Sequence, residues 1–522
     1  TCALPIFLLA LAPKPGLQEK RQRETGQELE EYKASLSEAT IDSLVKQTQE
    51  LIAYQQKEED PADLATIPML SLDDINEKAQ YYDITEKEVQ DVKELHYDTF
   101  TNNIYYSKLL FDARVLEKEQ LQYLKLLSEI LGKLNTKNYS FGELDNQLNM
   151  HTGGYSTRLS SYLGDDQDKN LKPKLVVESK TLEDKAGKMM ELTEEILLRS
   201  NFDDKERLKT LLTRHQSRQY NRVMRQGLSL ALIRLQSYYS QEGQIREMTD
   251  GYSYYQFVTG LKENYDERYN EIVINLQKVA QLVFNKNNLM VAITCKSEDL
   301  PRYNKALEKC IANLNDDDRK YNEWKFELAR KNEAMMTPSK VQYVTKGYNF
   351  KKLGYDYNGK MRVLDQILSS GYLNQQIRVI GGAYGGFSGI RRAGDIYFAS
   401  YRDPNLKKTL NNIDSTTQFL QKFEPTEDEM TRYIIGTISK LDQPRSPSQE
   451  GDAALSYYLE DLTANELQAE RDSVLATEVE DIRSMAPFIQ NILDSSAICV
   501  YGNEEKIKSQ KGLFKNVFRI EQ

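Results

Sequence analysis

The sequence predicts an α+β protein in which one module of strands and helices occurs twice, preceded by a helical hairpin. From about Val92 onward, strand-like runs alternate with long helical segments, which is typical of mixed α and β structure. Two stretches, 174–295 and 395–501, share one order of elements: a strand, two helices, further helices and a closing strand. Solenoid repeats are only about 20 to 50 residues long, so this order favours a duplicated module, although helix-rich chains can also align in this way by chance.

Size and composition argue against several classes of function. With 522 residues the chain exceeds the size at which single hydrophobic cores stop growing, so we expect several domains. It has 39% hydrophobic and 28% charged residues, and no run approaches the roughly 20 apolar residues that span a bilayer, so we expect no membrane role. A net charge of -10, from 69 basic and 79 acidic residues, argues against a nucleic-acid partner. Its four cysteines are too scattered for a disulfide framework and fit a reducing compartment.

The N-terminal part has three predicted segments. Residues 1–6 match the translation of a common sequencing-library adapter, so residues 1–7 are interpreted as an artefact; a signal peptide is the alternative, but no basic region precedes the apolar run. Residues 27–59 carry apolar side chains near a 3.6-residue period and predict a helical hairpin that Pro61 ends. The acidic stretch 60–74, with two prolines, predicts a connector into a globular unit.

Several catalytic chemistries lack their residues in this sequence. The three histidines, His96, His151 and His215, form neither His-x-x-Glu-His nor His-Glu-x-x-His, so no zinc helix and no metal ligand are predicted. There is no Gly-x-Ser-x-Gly elbow, and no cysteine stands in a recognisable pattern with a histidine.

The densest motif is the glycine-rich segment 376–387, which follows the amphipathic stretch 361–376 and predicts a helix, a turn and a strand. It lacks both the Gly-Lys-Ser/Thr end of a P-loop and the GxGxxG fingerprint, which argues against nucleotide binding. Glycines also allow close approach of another backbone, as when an extended peptide pairs with a strand edge. Arg378 and Tyr384 would then offer donors beside that strand. From spacing alone, a helix-terminal arginine and a core tyrosine stay open as the structural alternative.

Four motifs carry a resemblance to a known family. The segment 377–385, Ile-Arg-x-x-Gly-Gly-Ala-Tyr-Gly, resembles the signature in the C-terminal half of presequence proteases, which are members of the insulinase or pitrilysin superfamily of zinc endopeptidases. It is accompanied, in the family's order, by Met-His-Thr-Gly-Gly at 150–154, Ser-Tyr-Arg-Asp-Pro-Asn at 400–405 and the segment 436–447 with the following Gly451. The resemblance extends over nearly the whole chain from Pro13.

The resemblance implies two homologous insulinase-type (LuxS/metallohydrolase-like) α/β sandwich domains behind the hairpin linker. Together with the adapter match, it implies six segments: 1–7, the adapter-derived residues; 8–25, the tail of a preceding peptidase domain; 26–75, the hairpin linker; 80–315, a third insulinase-like domain; 316–337, a connector; and 338–522, a fourth insulinase-like domain. From the duplication we expect each sheet to be covered by helices largely on one face. In complete family members two such halves close around a chamber.

The resemblance also implies site residues and partners. Arg378 and Tyr384 match a catalytic pair that reaches across the chamber to the scissile peptide, with Gly381, Gly382 and Ala383 as substrate-binding residues. Zinc would be bound by the N-terminal half, whose ligands this sequence lacks, so the chain alone is expected to be inactive. The expected partners are peptide substrates and that half, in the bacterial cytoplasm or, alternatively, an organelle matrix. Two other functions stay open: a non-catalytic partner subunit and an unrelated helical scaffold.

Overall fold

The computed structural model describes residues 17–57, 60–64, 66, 68, 70–164 and 171–520. They form two compact units, within residues 1–69 and 70–522. The adapter-derived residues expected at 1–7, and residues 8–16 of the expected domain tail, lie outside the described residues.

The first unit is helical, as the hairpin prediction requires, but its boundaries differ from the expected ones. Its helices are α1 (Leu17–Ser35), α2 (Glu38–Gln56) and α3 (Pro61–Leu64). Helix α1 crosses the boundary expected at residue 25, because glutamates, glutamines, lysines and arginines on both sides favour helix strongly enough to continue it through Gly26. At the other end, residues 70–75 belong to the second unit, since Ile75 packs against its core and Arg471 Nε donates to the Asn76 carbonyl at 2.7 Å.

The first half of the second unit contains a six-stranded sheet. Its strands are β1 (Thr85–Val89), β2 (Val92–Asp98), β3 (Ile104–Asp112), β4 (Gly154–Leu163), β5 (Leu171–Leu182) and β6 (Leu289–Cys295), in the spatial order β1-β2-β6-β3-β5-β4. Strands β2 and β6 are parallel and the other neighbours are antiparallel. The helices of this module are α4 (Leu121–Ile130), α5 (Phe141–His151), α6 (Ala186–Arg199), α7 (Lys205–Arg225), α8 (Gly227–Gln236), α9 (Gln241–Asp250), α10 (Tyr252–Glu263), α11 (Tyr265–Val283) and α12 (Leu300–Ile311).

The second half contains another six-stranded sheet. Its strands are β7 (Asn332–Thr337), β8 (Tyr343–Asn349), β9 (Gly385–Ile390), β10 (Asp395–Tyr401), β11 (Ala497–Asn503) and β12 (Asn516–Arg519), in the order β12-β7-β11-β8-β10-β9. The α-helices are α13 (Lys360–Gln366), α14 (Lys407–Asp414), α15 (Thr416–Gln421), α16 (Glu427–Leu441), α17 (Pro447–Leu459), α18 (Ala464–Leu475), α19 (Val479–Ser484), α20 (Ala486–Ser495) and α21 (Glu504–Ser509). The connector expected at 316–337 therefore ends at 331, because β7 pairs in parallel with β11 inside this sheet.

The two sheets have matching topology, which agrees with the predicted duplication. The strands predicted near Lys174 and Asp395 are β5 and β10, and each is fifth in the order of its sheet. The predicted closing strands, β6 and β11, are each third, and each pairs in parallel with one neighbour and antiparallel with the other. The modules differ at one edge, where β1 is antiparallel to β2 but β12 is parallel to β7.

Helices cover both faces of each sheet, which corrects the expectation of one covered face. On β3, Leu109 packs with the helices of its own module, whereas Leu110 faces the other way and packs with Leu455 and Leu459 of α17. Helix α8 does the reverse, because its Leu230 and Leu235 pack with side chains of the second sheet. Each module thus has one helix that packs on the sheet of the other module. This exchange of helices joins residues 70–522 into one compact unit.

Candidate functional site

The glycine-rich segment joins a helix to an edge strand. Helix α13 continues as π-helical turns at Ile367–Tyr372 and Asn374–Val379, so the helix is longer and wider than the α-helix predicted for 361–376. Its widened end is visible in the hydrogen bond from Ile380 N to Gln375 O at 2.9 Å. A loop at 380–384 follows, and β9 begins at Gly385. π-Helical turns often occur at functional sites because they displace side chains from the regular helical register.

The residues predicted to bind substrate frame this loop. Gly382 has a φ of +77°, a left-handed conformation that favours glycine after a helix end. A Cβ at Gly381 would lie 2.4 Å from the Ile377 carbonyl oxygen. The Gly382 N–H donates to Arg378 O at 2.9 Å, the Ala383 N–H donates to Ile377 O at 3.1 Å, and the Ala383 side chain is buried. Their direct contact with a peptide stays a prediction; within the chain, they fix the shape of the loop.

Arg378 and Tyr384 lie at the two ends of the loop. Arg378 is in the last turn of the π-helical segment and its side chain is exposed. Tyr384 is 68% exposed, and its backbone N–H donates to Tyr401 O at 3.0 Å, which fixes its main chain against β10. The interpretation of Tyr384 as a core residue is therefore wrong. Both side chains can meet a molecule outside this chain.

Three residues of the segment 400–405 complete the site: Tyr401, Arg402 and Asn405. The guanidinium of Arg402 lies 5.6 Å from the centre of the Tyr384 ring and 5.7 Å from that of Tyr401. Asn405 Nδ2 donates to the Gly381 carbonyl at 2.7 Å and so holds the loop against the turn that follows β10. The sequence signal for these three residues is the segment 400–405, but their contacts with Tyr384 and Gly381 depend on the folded structure.

Strand β9 is the edge strand of the second sheet beside Tyr384, and part of its outer edge is occupied, because the Ser388 N–H donates to Ser369 Oγ at 2.9 Å and the Ser388 carbonyl accepts from that hydroxyl at 3.3 Å. The strand pairs antiparallel with β10 and lies at the end of the sheet order, so its other edge has no partner among the described strands. Edge strands with free N–H and C=O groups can add an extended peptide as a further strand. Tyr384 immediately precedes the first residue of that edge.

The two glycines that open β9 make a matched pair for testing the packing of the loop. A Cβ at Gly386 would lie 2.6 Å from Ile377 Cβ and 2.7 Å from Leu373 O, whereas at Gly385 the nearest atom would be 3.8 Å away. We expect Gly386→Ala to lower the free energy of unfolding by about 1 to 3 kcal/mol through overpacking, and Gly385→Ala to change it by less than about 0.5 kcal/mol. Urea unfolding measures both, and equal effects would contradict the close approach of the helix to β9.

The remaining family motifs have structural roles. In the segment 436–447, Asp442 accepts two hydrogen bonds from the buried guanidinium of Arg471, at 2.6 and 2.8 Å, and Arg445 lies 5.2 Å from the ring centre of Tyr82. With the Arg471 bond to Asn76, these contacts fasten the stretch before β1 to the second module. In the segment 150–154, the Gly153 N–H donates to Lys180 O at 2.8 Å and starts the pairing of β4 with β5.

The three histidines do not come together to form a zinc site. The His96 ring lies 2.9 Å from the Cys295 carbonyl oxygen, and the His215 ring 2.9 Å from the Tyr254 hydroxyl, both buried in the first module. Burial lowers the pKa of His215 to about 4, so its imidazole is neutral near pH 7. His151 is the last residue of α5, which is a different element from those that carry the other two histidines. Across the described part of the chain, no three His, Cys, Asp or Glu side chains are grouped so that they could hold a metal ion.

Two further structural findings bear on function class. Among the described residues, no helix combines the length and apolar character needed to cross a membrane. The described cysteines, Cys295, Cys310 and Cys499, are buried free thiols, and burial raises the pKa of each to about 12, so none is poised as a nucleophile near pH 7.

Solved structures first show the class of fold. A peptidase M16 inactive domain from Pseudomonas fluorescens superposes with a TM-score of 0.57 at 15% identity, covering 81% of this chain and 98% of that chain. The periplasmic protease PqqL from Escherichia coli superposes with a TM-score of 0.53 at 14% identity, covering 91% of this chain and 51% of that chain. The chain thus has the insulinase-type α+β fold.

Sequence relatives then give the family. Residues 11–261 match the family model for the region associated with peptidase M16, subfamily C, and residues 332–500 match the PreP C-terminal domain. Protein HypA of Clostridium perfringens is 38% identical over 98% of this chain, and presequence protease 1, chloroplastic/mitochondrial, of Arabidopsis thaliana is 29% identical over 98%. The chain belongs to the presequence-protease type of the peptidase M16 family and corresponds to its C-terminal half. It spans about half the length of these relatives, 52% and 48%.

Proposed function

We propose that this chain is the substrate-contacting half of a zinc endopeptidase that degrades short or unfolded peptides inside a closed chamber. The observation that carries the proposal is the exposed pair Arg378 and Tyr384, at either end of a glycine loop that leads into the edge strand of the second sheet. Peptidase relatives support the substrate class. The proposed location is the bacterial cytoplasm, with an organelle matrix as the alternative; the relatives include a bacterial protein and a chloroplastic/mitochondrial protein of a plant.

In this proposal the two side chains act on the carbonyl of the bond to be cleaved. A peptide lying along β9 presents its carbonyl groups to the strand and its neighbours. Negative charge grows on the carbonyl oxygen as the peptide bond is attacked, and donors already in place lower that barrier. The Tyr384 hydroxyl donates directly to that oxygen. The Arg378 guanidinium binds a neighbouring substrate carbonyl or the same developing charge.

The zinc of the complete enzyme is assigned to the other half. In this division of roles the chain contributes hydrogen-bond donors and the shape of the peptide-binding surface. Closure of the two halves would bring Arg378 and Tyr384 to the metal-bound substrate and exclude water. Proposed partners are therefore a peptide substrate and the N-terminal half.

A chimaera tests this division of roles. The chain is joined to the half of Protein HypA that lies outside the region of similarity, and cleavage of an unstructured peptide is followed with and without chelator. We expect chelator-sensitive cleavage by the chimaera, whereas this chain alone should bind no stoichiometric zinc and cleave nothing.

Two outcomes would contradict the proposal in different ways. About one tightly bound zinc per chain, with chelator-sensitive activity, would show that the isolated chain is itself the enzyme. A chimaera that is folded, loaded with zinc and able to bind the peptide but not to cleave it would favour the non-catalytic partner subunit. Circular dichroism and gel filtration of the chimaera control for misfolding.

A further inference from the structure

We propose that Arg402 is a positioning residue that holds the Tyr384 ring ready for substrate, and this inference rests on the proposed function of Tyr384. The guanidinium stacks against two rings, with its central carbon 5.6 Å from the centre of the Tyr384 ring and 5.7 Å from that of Tyr401. A cation at this distance is attracted by the face of an aromatic ring. An exposed tyrosine with few other contacts thereby gains a preferred orientation.

The backbone at Arg402 is arranged for this contact. Its φ is +48°, a left-handed conformation that non-glycine residues adopt only when the surrounding structure holds them there. The next residue supplies that restraint, because the N–H and C=O of Asp403 both pair with Gln342, each at 2.8 Å. Asp403 is buried and also accepts hydrogen bonds from Thr409 and from the Asn405 N–H. These hydrogen bonds fix the turn after β10, and Arg402 lies on the exposed side of that turn.

A ladder of rings joins this cation to the interior. Tyr401 lies 5.6 Å, centre to centre, from Tyr343, which lies 5.7 Å from Tyr501. The Tyr501 hydroxyl donates to Val223 O at 2.9 Å, on the helix just before α8. A chain of contacts therefore runs from Tyr384 through Arg402 and these rings to the end of α7.

The expected consequence is a preorganised donor. Without Arg402, the Tyr384 ring would sample more rotamers before the substrate binds. In a fraction of the encounters with substrate its hydroxyl would therefore be misplaced. The contact acts through Tyr384, so its loss should appear in kcat more than in KM. The size expected for one exposed cation–π contact is about 2- to 5-fold.

Ring orientation can be measured without any catalysis. The full chain is prepared with 3-fluorotyrosine at position 384, and its ¹⁹F resonance is compared with that of Arg402→Met and Arg402→Lys. We expect Arg402→Met to shift the resonance toward that of free fluorotyrosine and Arg402→Lys, which keeps a cation, to shift it less. The matched control is Arg445→Met, which removes the same kind of stacked guanidinium from Tyr82, 5.2 Å away, and should leave the resonance unchanged. An unchanged resonance in Arg402→Met would overturn the inference.

A double-mutant cycle in the chimaera separates positioning from a role of its own. We expect Arg402→Met to lower kcat about 2- to 5-fold in the parent and to have no further effect in the Tyr384→Phe background. Equal losses in both backgrounds would show that Arg402 acts independently of Tyr384 and would overturn the inference. If Tyr384→Phe itself leaves turnover unchanged, the proposed function fails instead, and the fluorine experiment alone decides whether Arg402 orients the ring.

Discussion

Tyr384→Phe in the chimaera is expected to lower kcat by about 10² to 10³, the usual cost of removing one donor to a developing oxyanion. The substitution removes one hydroxyl and keeps the ring. Tyr384 is 68% exposed and none of the described hydrogen bonds involves its hydroxyl, so the folded state should lose almost nothing. Steady-state kinetics and urea unfolding of the same preparation measure both effects. A loss of rate without a loss of stability is the signature of a catalytic residue.

Arg378→Ala is the companion variant. It removes a permanent charge and several donors, so we expect a loss at least as large as that of Tyr384→Phe, with an additional effect on KM. Zinc content should stay unchanged in both variants, because no metal-binding group lies in the described part of this chain. Near-normal turnover in both would reduce Arg378 and Tyr384 to structural residues. Loss of zinc in either would show that metal and donors are not divided between the halves.

The positions of the strands could be predicted from the sequence better than the pairing between them. The strands near Lys174 and Asp395 were located because β-branched and aromatic residues cluster there, and they occupy equivalent places in the two sheets. The boundary expected at 337 is wrong, because Asn332–Thr337 follows a long charged stretch and becomes a strand through its parallel pairing with β11 and β12. Parallel pairing over such a distance leaves no local signal in sequence.

The exchange of helices between modules was beyond sequence reasoning for a similar reason. The apolar faces of α8 and α17 predict that each packs on something, but amphipathicity does not specify the sheet. In the folded chain, Leu230 packs on the second sheet and Leu455 on the first. The site shows the same limit. Arg378 and Tyr384 stand in one contiguous motif, whereas Arg402 reaches Tyr384 only because β9 and β10 are adjacent.

The exchanged helix α8 is fixed by a buried ionic network. Arg234 Nε donates to Glu333 on β7 at 2.9 Å, and its Nη1 donates to Glu247 on α9 at 3.0 Å. The two carboxylate side chains are only 3% and 4% exposed. Tyr238 and Asn516 donate to Glu333 as well, at 2.6 and 2.9 Å. One guanidinium therefore bridges two buried carboxylates, one from each module.

The pKa of Glu333 shows the balance in this network. Burial alone raises that pKa, but the charge of Arg234 and the hydrogen bonds from Tyr238, Asn516 and Arg234 outweigh burial and hold it below the ordinary value of 4.5. A carboxyl group whose pKa is lowered by folding stabilises the protein above its unfolded pKa. This contribution is present above about pH 4.5 and is lost as the pH falls through the lowered value in the folded state.

Arg234→Met is expected to lower the free energy of unfolding at pH 7 by about 3 to 5 kcal/mol, because it leaves two buried carboxylates without their cation. The pKa of Glu333 should then rise, since burial is no longer opposed by that charge, and the difference in stability from the parent should shrink as the pH falls from the raised pKa of the variant to the lowered pKa of the parent. Arg268→Met is the matched control: its partner Glu271 and Arg268 itself are 46% and 35% exposed, so we expect a loss below about 1 kcal/mol. Urea unfolding at pH 7 and pH 4 measures both variants. Equal losses in the two variants, or a loss in Arg234→Met that grows toward acid pH, would mean that the network does not hold the modules together.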